Sequence, residues 1–161
     1  MSEFPKFMTR KSDQGRCVAV VGDLYRFLAT GDETDGQYAL WEAVIPPNGG
    51  PPPHTHSKEV EFFHVLEGEI TFFVNGETLK AGPGMFAHMP IGSLHCFKNE
   101  TETIVRMLIG VAPAGLEKMF FEVGQPLKST VDTLPQPTQS DIDALLAVAE
   151  RYGITIELPK E

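Results

Sequence analysis

The chain of 161 residues is long enough for one domain with a buried core, and its 42% hydrophobic and 22% charged residues are typical of a globular protein. A net charge of −9 argues against a nucleic-acid partner, which would be bound through clustered lysine and arginine. The sequence has no apolar run of membrane-spanning length and opens without a secretory signal, so we expect no membrane partner. Cys17 and Cys96 stand far apart without CxxC spacing, which favours reduced thiols and a cytoplasmic location.

Short apolar segments separated by glycine and proline predict a series of β-strands. In chain order they cover residues 17–21, 24–29, 37–45, 59–66, 69–74, 77–80, 85–89, 95–98 and 103–111. Asn75-Gly76 is a strong hairpin signal, because both central turn positions require positive φ. Many short strands joined by such turns predict a β-sandwich or β-barrel.

Beyond the last predicted strand the pattern becomes helical. Residues 116–123 predict a short helix, and residues 126–139 predict a connector. A second helix is predicted to begin with Ser140 as its N-cap, with Asp143 completing a capping box, and to be capped at its other end by Gly153. Its apolar stripe indicates packing on the β-strands or on a second subunit.

Three of the five histidines lie where they could share a metal ion. His54 and His56 are two positions apart, so on an extended chain both imidazoles point to the same face. Glu61 follows on the next strand, where Glu59 is an alternative on the same face, and His95 comes from a later strand. Such nitrogen and oxygen donors suit Mn, Fe, Co, Ni, Cu or Zn, whereas Ca and Mg prefer oxygen ligands. A His-x-His pair alone would more often be a solvated surface feature.

Two longer motifs surround these residues. Residues 54–68 resemble the first cupin motif, which is His-x-His, four residues, Glu, six residues and Gly. Residues 84–99 resemble the second motif, with Gly, Pro, Gly, His and Asn at its fixed positions. The chain is identified on these motifs as a member of the cupin superfamily. Asn48 is a departure, because the family has glycine there, and the adjacent Gly49 and Gly50 indicate a shifted turn.

The resemblance implies an all-β fold, a jelly-roll-like cupin β-barrel with short C-terminal helices. It implies a single cupin domain over residues 1–161, with the barrel core at about 17–111 and a helical extension at about 114–161. It also implies one divalent transition metal, Fe, Mn, Ni, Co, Cu or Zn, near the mouth of the barrel. The implied ligands are His54, His56, Glu61 and His95.

Within the family the chain is most similar to small quercetin 2,3-dioxygenase-like cupins, including at residues 111–117 and 149–154. This similarity implies a metal-dependent dioxygenase for an enolisable or aromatic small molecule, with Glu61 accepting the substrate proton. Two alternatives remain open: a redox-neutral metal-dependent isomerase or decarboxylase, and a non-catalytic cupin that binds a metal or small molecule. Small cupins also pair through sheet faces. The predicted strand at 103–111 has apolar residues on both faces, which indicates burial on both sides and predicts a homodimer.

The remaining aromatic and ionisable side chains have less specific roles. His64 has the opposite strand parity to Glu61 and is predicted to point away from the metal. His88 is predicted either to pack or to line the pocket, and Arg106 either to face solvent or to anchor an anionic substrate. Trp41 is predicted to be a packing residue, with ligand recognition as the alternative. Several phenylalanines are predicted to form the core, with some lining an apolar pocket: Phe62, Phe63, Phe72, Phe73, Phe86 and Phe97.

Overall fold

Two antiparallel β-sheets packed against each other form the body of the protein. The computed structural model describes residues 6–128 and 133–160. Its strands are β1 Cys17–Val20, β2 Asp23–Ala29, β3 Ala39–Ile45, β4 His54–His56, β5 Val60–Glu67, β6 Ile70–Val74, β7 Glu77–Ala81, β8 Phe86–Met89, β9 His95–Lys98, β10 Val105–Ala112, β11 Gln125–Leu127 and β12 Ile154–Ile156. Its helices are α1 Leu116–Val123 and α2 Gln139–Val148, followed by a single 3-10 turn at Ala149–Tyr152.

The strand order confirms the predicted all-β, jelly-roll-like fold with short C-terminal helices. One sheet has seven strands in the order β11-β1-β2-β3-β10-β5-β8, and the other has five in the order β12-β4-β9-β6-β7. The chain beyond β10 adds an edge strand to each sheet, since β11 pairs with β1 and β12 pairs with β4. The predicted connector at 126–139 is therefore wrong at its start, where β11 forms, and residues 129–132 of it lie outside the described residues.

The core lies between the two sheets and follows the alternation of the strands. In β2 and β3 every second residue is buried, and the rings of Phe27 and Trp41 are 5.4 Å apart between their centroids. Phe63 of the seven-stranded sheet meets Phe72 of the five-stranded sheet at 5.0 Å. Burial of each such ring contributes about 2–3 kcal/mol relative to exposure, so aromatic contacts between the sheets are a main stabilising element.

Two turns show how the chain reverses beside the core. Asn75 and Gly76 have φ values of 50° and 86° and join β6 to β7, which confirms the predicted hairpin. Asn48 has a φ of 64°, so asparagine itself adopts the left-handed conformation for which the family uses glycine. At Gly50 a side chain is excluded, because a Cβ there would lie 2.0 Å from the carbonyl oxygen of Phe97.

The second helix begins earlier than predicted. Thr138 is the N-cap: its hydroxyl accepts a hydrogen bond from the Asp141 backbone N–H, and the Asp141 carboxylate accepts one from the Thr138 backbone N–H. The capping box assigned to Ser140 and Asp143 is therefore wrong by two residues, because the Thr138 pair satisfies the first free N–H groups. Gly153 adopts the left-handed conformation after the 3-10 turn, as predicted for a C-terminal cap. Among the described residues, neither helix is long and apolar enough to cross a membrane.

Candidate metal centre

Three histidines and one glutamate meet between the two sheets. His54 and His56 point inward from β4, with Thr55 on the opposite side, as their two-residue spacing predicts. His95 of β9 lies directly opposite His54 in the register of the five-stranded sheet. Glu61 enters from β5 of the seven-stranded sheet. The cluster therefore exists only because the two sheets face each other.

The donor atoms of the cluster converge on a small volume. One potential ligand atom from each of the four side chains lies within 4.8 Å of every other. Glu61 Oε2 is 2.9 Å from Nε2 of His56 and also 2.9 Å from Nε2 of His95. All four side chains are almost completely buried. Polar atoms thus gather in an otherwise apolar interior, where such groups either pair with one another or coordinate a metal.

The three imidazoles are held in orientation from outside the cluster. Each Nδ1 has an oxygen acceptor: Pro52 O is 2.8 Å from His54, Glu59 Oε1 is 3.3 Å from His56, and Ser93 O is 3.1 Å from His95. A proton on Nδ1 leaves the Nε2 lone pair facing inward, which is the arrangement of metal-binding histidines. Glu59, considered above as a rival to Glu61, therefore supports His56 from behind and does not enter the cluster.

The electrostatics of the cluster favour a carboxylate surrounded by imidazoles. Burial would raise the pKa of Glu61, but the imidazoles of His56 and His95 hold it well below its usual value. Burial lowers the pKa of His54 to about 4. Burial would also lower the pKa of His56, but the carboxylates of Glu59 and Glu61 raise it to about 9. Before a metal binds, Glu61 is therefore ionised at neutral pH, His54 is neutral and His56 is protonated on both ring nitrogens, so a metal would displace the proton on its Nε2.

This arrangement fits a transition-metal ion. Nε2 of His56 is buried and makes no regular hydrogen bond among the described residues, although Glu61 Oε2 lies 2.9 Å from it. Neighbouring ligands about 2.1 Å from one ion stand about 3 Å apart, which matches the two short contacts of Glu61. Three imidazoles and one carboxylate would leave a divalent ion with one net positive charge. Residues 54, 56, 61 and 95 could therefore hold such an ion.

The cluster opens into a largely apolar cavity that is partly open to solvent. His54, His56 and Glu61 line one part of the cavity. The chain beyond β10 supplies much of the apolar lining, through Leu116, Met119, Phe120, Leu145 and Ile154. An apolar cavity with a few polar groups suits a small organic ligand that coordinates through an oxygen atom.

The residues of this site lie in a segment that resembles a known protein family. A family model described as "Cupin domain" matches residues 41–111, which include the whole cluster. The fold and the four-residue cluster agree with that match. Residues 41–111 form a cupin domain.

Its relatives carry different chemistries. This cupin is 25% identical over 150 residues to a quercetin 2,3-dioxygenase of Bacillus subtilis (strain 168), covering 92% of this chain and 44% of that protein. It therefore spans less than half the length of that relative. It is 29% identical over 136 residues to the polyketide synthase CurC of Streptomyces cyaneus, covering 82% of this chain and 80% of that one. The polyketide cyclase RemF of Streptomyces resistomycificus is 25% identical with a TM-score of 0.58, over 66% of this chain and 80% of that one.

Other predicted site residues lie away from the cluster. His64 is on the outward parity of β5, opposite Leu108, as expected. His88 is exposed and does not line the cavity, so both alternatives predicted for it, packing and pocket lining, are wrong. Arg106 is exposed and pairs with Glu42 at 3.0 Å, in agreement with the solvent-facing alternative.

The aromatic lining differs from the expectation. Of the six phenylalanines proposed above for core or pocket, only Phe97 lines the cavity, while Phe86 is 63% exposed. The sequence reasoning missed Asp23, which lines the same cavity and is 3% exposed. Strand parity could have indicated this inward position, because Asp23, Tyr25 and Phe27 are two residues apart and share one face of β2.

Proposed function

We propose that this cupin is a metal-dependent dioxygenase of the quercetinase type, acting on an enolisable or aromatic small molecule. The single observation that carries the proposal is the buried cluster of three imidazoles and one carboxylate opening into an apolar cavity. The similarity to a quercetin 2,3-dioxygenase over 92% of this chain supports the same reaction class. The proposed metal ligands are His54, His56, Glu61 and His95.

The residues around the cluster define what the protein itself would contribute. A bound divalent transition metal would supply Lewis acidity and, if redox-active, reactivity toward dioxygen. Glu61 is ionised, so its carboxylate can accept the proton of an enolic or phenolic hydroxyl that enters the cluster. The Nδ1 contacts of the histidines hold their rings in orientation, and apolar side chains line the space beside the cluster.

A decisive experiment combines metal analysis with oxygen uptake. Purified protein is analysed for metals, then reloaded with Fe, Mn, Co, Ni or Cu and assayed with a panel of flavonols and β-diketones. We expect oxygen consumption with at least one metal and substrate. Glu61→Gln preserves size and removes basicity, so turnover should fall further than metal occupancy. No oxygen uptake across the panel with fully loaded protein would refute the dioxygenase proposal.

A redox-neutral reaction at the same centre is the second candidate. It is favoured by the similarity to the polyketide synthase CurC, which extends over 80% of that protein, and to the polyketide cyclase RemF. Activity of the Zn-loaded protein distinguishes the two candidates, because Zn is not redox-active. A redox-neutral isomerase, decarboxylase or cyclase would work with Zn, whereas a dioxygenase would not. A non-catalytic binding cupin would retain metal and ligand without turnover under any loading.

We also propose that the chain forms one cupin domain and pairs as a homodimer in the cytoplasm. The lining of one cavity by both the barrel and the chain beyond it supports a single domain. Exposed apolar side chains on the outer surface support pairing, because Ile104, Leu66 and Phe86 are 46%, 42% and 63% exposed. Both cysteines are buried free thiols, in keeping with a reducing compartment.

A further inference from the structure

The cavity contains polar side chains that the proposed metal centre does not use. Asp23, Tyr25 and Trp41 occupy inward positions of β2 and β3, and all three line the cavity. Asp23 and Trp41 are 3% and 1% exposed. Both come from the seven-stranded sheet, whereas the three histidines come from the five-stranded sheet.

Two of these side chains lack the partner that a buried polar group normally has. Oδ1 of Asp23 and Nε1 of Trp41 are buried without a hydrogen-bond partner among the described residues. Only His56 Nε2, in the metal centre itself, shares this property in that part of the chain. Since most buried polar side-chain atoms are hydrogen-bonded, these two atoms require an explanation.

The backbone beside Asp23 leaves room for its carboxyl group. A Cβ on Gly49 would lie 2.7 Å from Asp23 Oδ1, so any side chain at residue 49 would clash with it. Burial raises the pKa of Asp23 well above its usual value, which favours the protonated form. A protonated carboxyl donates one hydrogen bond and accepts others, while the indole Nε1 only donates.

The cavity wall that Trp41 belongs to is aromatic. The ring of Tyr25 lies 5.9 Å from that of Trp41 and 5.0 Å from that of Phe120, measured between centroids. The Trp41 ring meets Phe120 edge to face at 5.5 Å. Such a wall suits a flat aromatic molecule, and the two unpartnered atoms suit oxygen substituents on it.

We propose that Asp23 and Trp41 form a second recognition site in the cavity, which hydrogen-bonds hydroxyl or carbonyl oxygens of a flat aromatic ligand. Asp23 binds one oxygen as donor or acceptor, and Trp41 Nε1 donates to another. The proposal rests on the proposed function for the end of the ligand at the metal centre. It deepens that function by assigning selectivity for polyhydroxylated ligands to residues outside the metal centre.

Two flavonols test the site directly. Quercetin and 3-hydroxyflavone share the 3-hydroxyl and 4-keto groups that suit a metal, but only quercetin carries further hydroxyls. Affinities are measured by isothermal titration calorimetry on Zn-loaded protein under nitrogen. We expect the wild type to prefer quercetin by about tenfold or more, and Asp23→Leu to remove most of that preference while leaving 3-hydroxyflavone affinity within about twofold.

Three further variants separate recognition from folding. Asp23→Asn keeps a neutral donor and acceptor and should retain the preference within about threefold. Asp32→Leu is the matched control, since the side chain of Asp32 is 86% exposed, and should behave as wild type. Asp23→Leu should melt at or above the wild-type temperature, because it removes an unpartnered buried carboxyl. If it does not fold, Trp41→Phe decides, with an expected loss of about threefold or more in quercetin affinity alone.

The outcomes distinguish this site from the proposed reaction. Equal wild-type affinities for the two flavonols, or an unchanged preference in the deciding variant, would overturn the recognition site and leave the dioxygenase proposal standing. The expected binding pattern without oxygen uptake by protein loaded with redox metals would overturn the dioxygenase and leave the recognition site. Failure of the wild type to bind either flavonol would overturn the recognition site alone, because the oxygen-uptake panel, which includes β-diketones, decides the dioxygenase proposal.

Discussion

Replacing Glu59 by glutamine should weaken metal binding although Glu59 lies outside the cluster. Its side chain is 4% exposed, and its Oε1 is 3.3 Å from Nδ1 of His56. Among the three acceptors that hold imidazole Nδ1 atoms it is the only charged one, because the other two are backbone carbonyls. Glutamine keeps the volume but removes the charge that makes His56 a stronger donor to a cation.

The expected size of the effect follows from the role of Glu59. Loss of a residue that orients a metal-binding histidine weakens metal affinity by roughly 10–100-fold, or about 1.4–2.7 kcal/mol. At a fixed excess of metal, the stabilisation of the folded state falls by the same amount. For a protein of this size each kcal/mol corresponds to about 2–4 °C in Tm. Metal addition should therefore raise the Tm of Glu59→Gln by about 3–10 °C less than it raises that of wild type.

The assay uses Zn affinity from competition with a chromophoric chelator, together with thermal melts with and without Zn. Glu77→Gln is the matched control, because Glu77 is exposed on β7, and should be indistinguishable from wild type. Glu61→Gln should lose more affinity than Glu59→Gln. Unchanged affinity in Glu59→Gln would refute the supporting role. Loss of binding in Glu59→Gln but not in Glu61→Gln would reverse the proposed ligand assignment.

Further predictions concern the same centre and the fold around it. His95→Ala should lower metal content tenfold or more by elemental analysis, whereas His88→Ala, at an exposed histidine, should leave it unchanged. Neighbouring carboxylates raise the pKa of His56 to about 9, so a metal ion must displace a proton from His56 at pH 7. Metal affinity should therefore rise with pH up to about 9. Calorimetry in buffers of different ionisation enthalpy should detect the released proton. Gly50→Ala should destabilise the protein by more than about 2 kcal/mol in urea denaturation, since its Cβ would lie 2.0 Å from Phe97 O. Light scattering at micromolar concentration should give the dimer mass, and the monomer mass would contradict the pairing proposal.

Local patterns in the sequence were sufficient for most of the strands and for the composition of the centre. The two-residue spacing of His54 and His56 places both rings on one face, because side chains alternate along any strand. Motif spacing selected Glu61 over Glu59, and only Glu61 enters the cluster. Helix α1 also has the predicted bounds, since an apolar segment between glycines defines both ends.

Those local patterns do not predict contacts between segments that are far apart in the sequence. The pairing of β12 with β4 and the closing of the cavity by the chain beyond β10 depend on packing across more than 90 residues of sequence, as the register of Ile154 with His56 shows. The N-cap of α2 depends on which of several nearby polar side chains reaches a free N–H, and Thr138 does so before Ser140. Local sequence patterns therefore could not predict which residues close the cavity or where helix α2 begins.

The sequence by itself determined the strand faces, the hairpin and the set of candidate ligands, because each depends on spacing within one or two neighbouring segments. Only the tertiary structure decided that Glu59 supports His56 from outside the cluster and that Asp23 and Trp41 share its cavity. The physical reason is that strand parity gives the direction of a side chain but not its neighbours. Those neighbours are set by the register and facing of two sheets, which form from segments far apart in the chain.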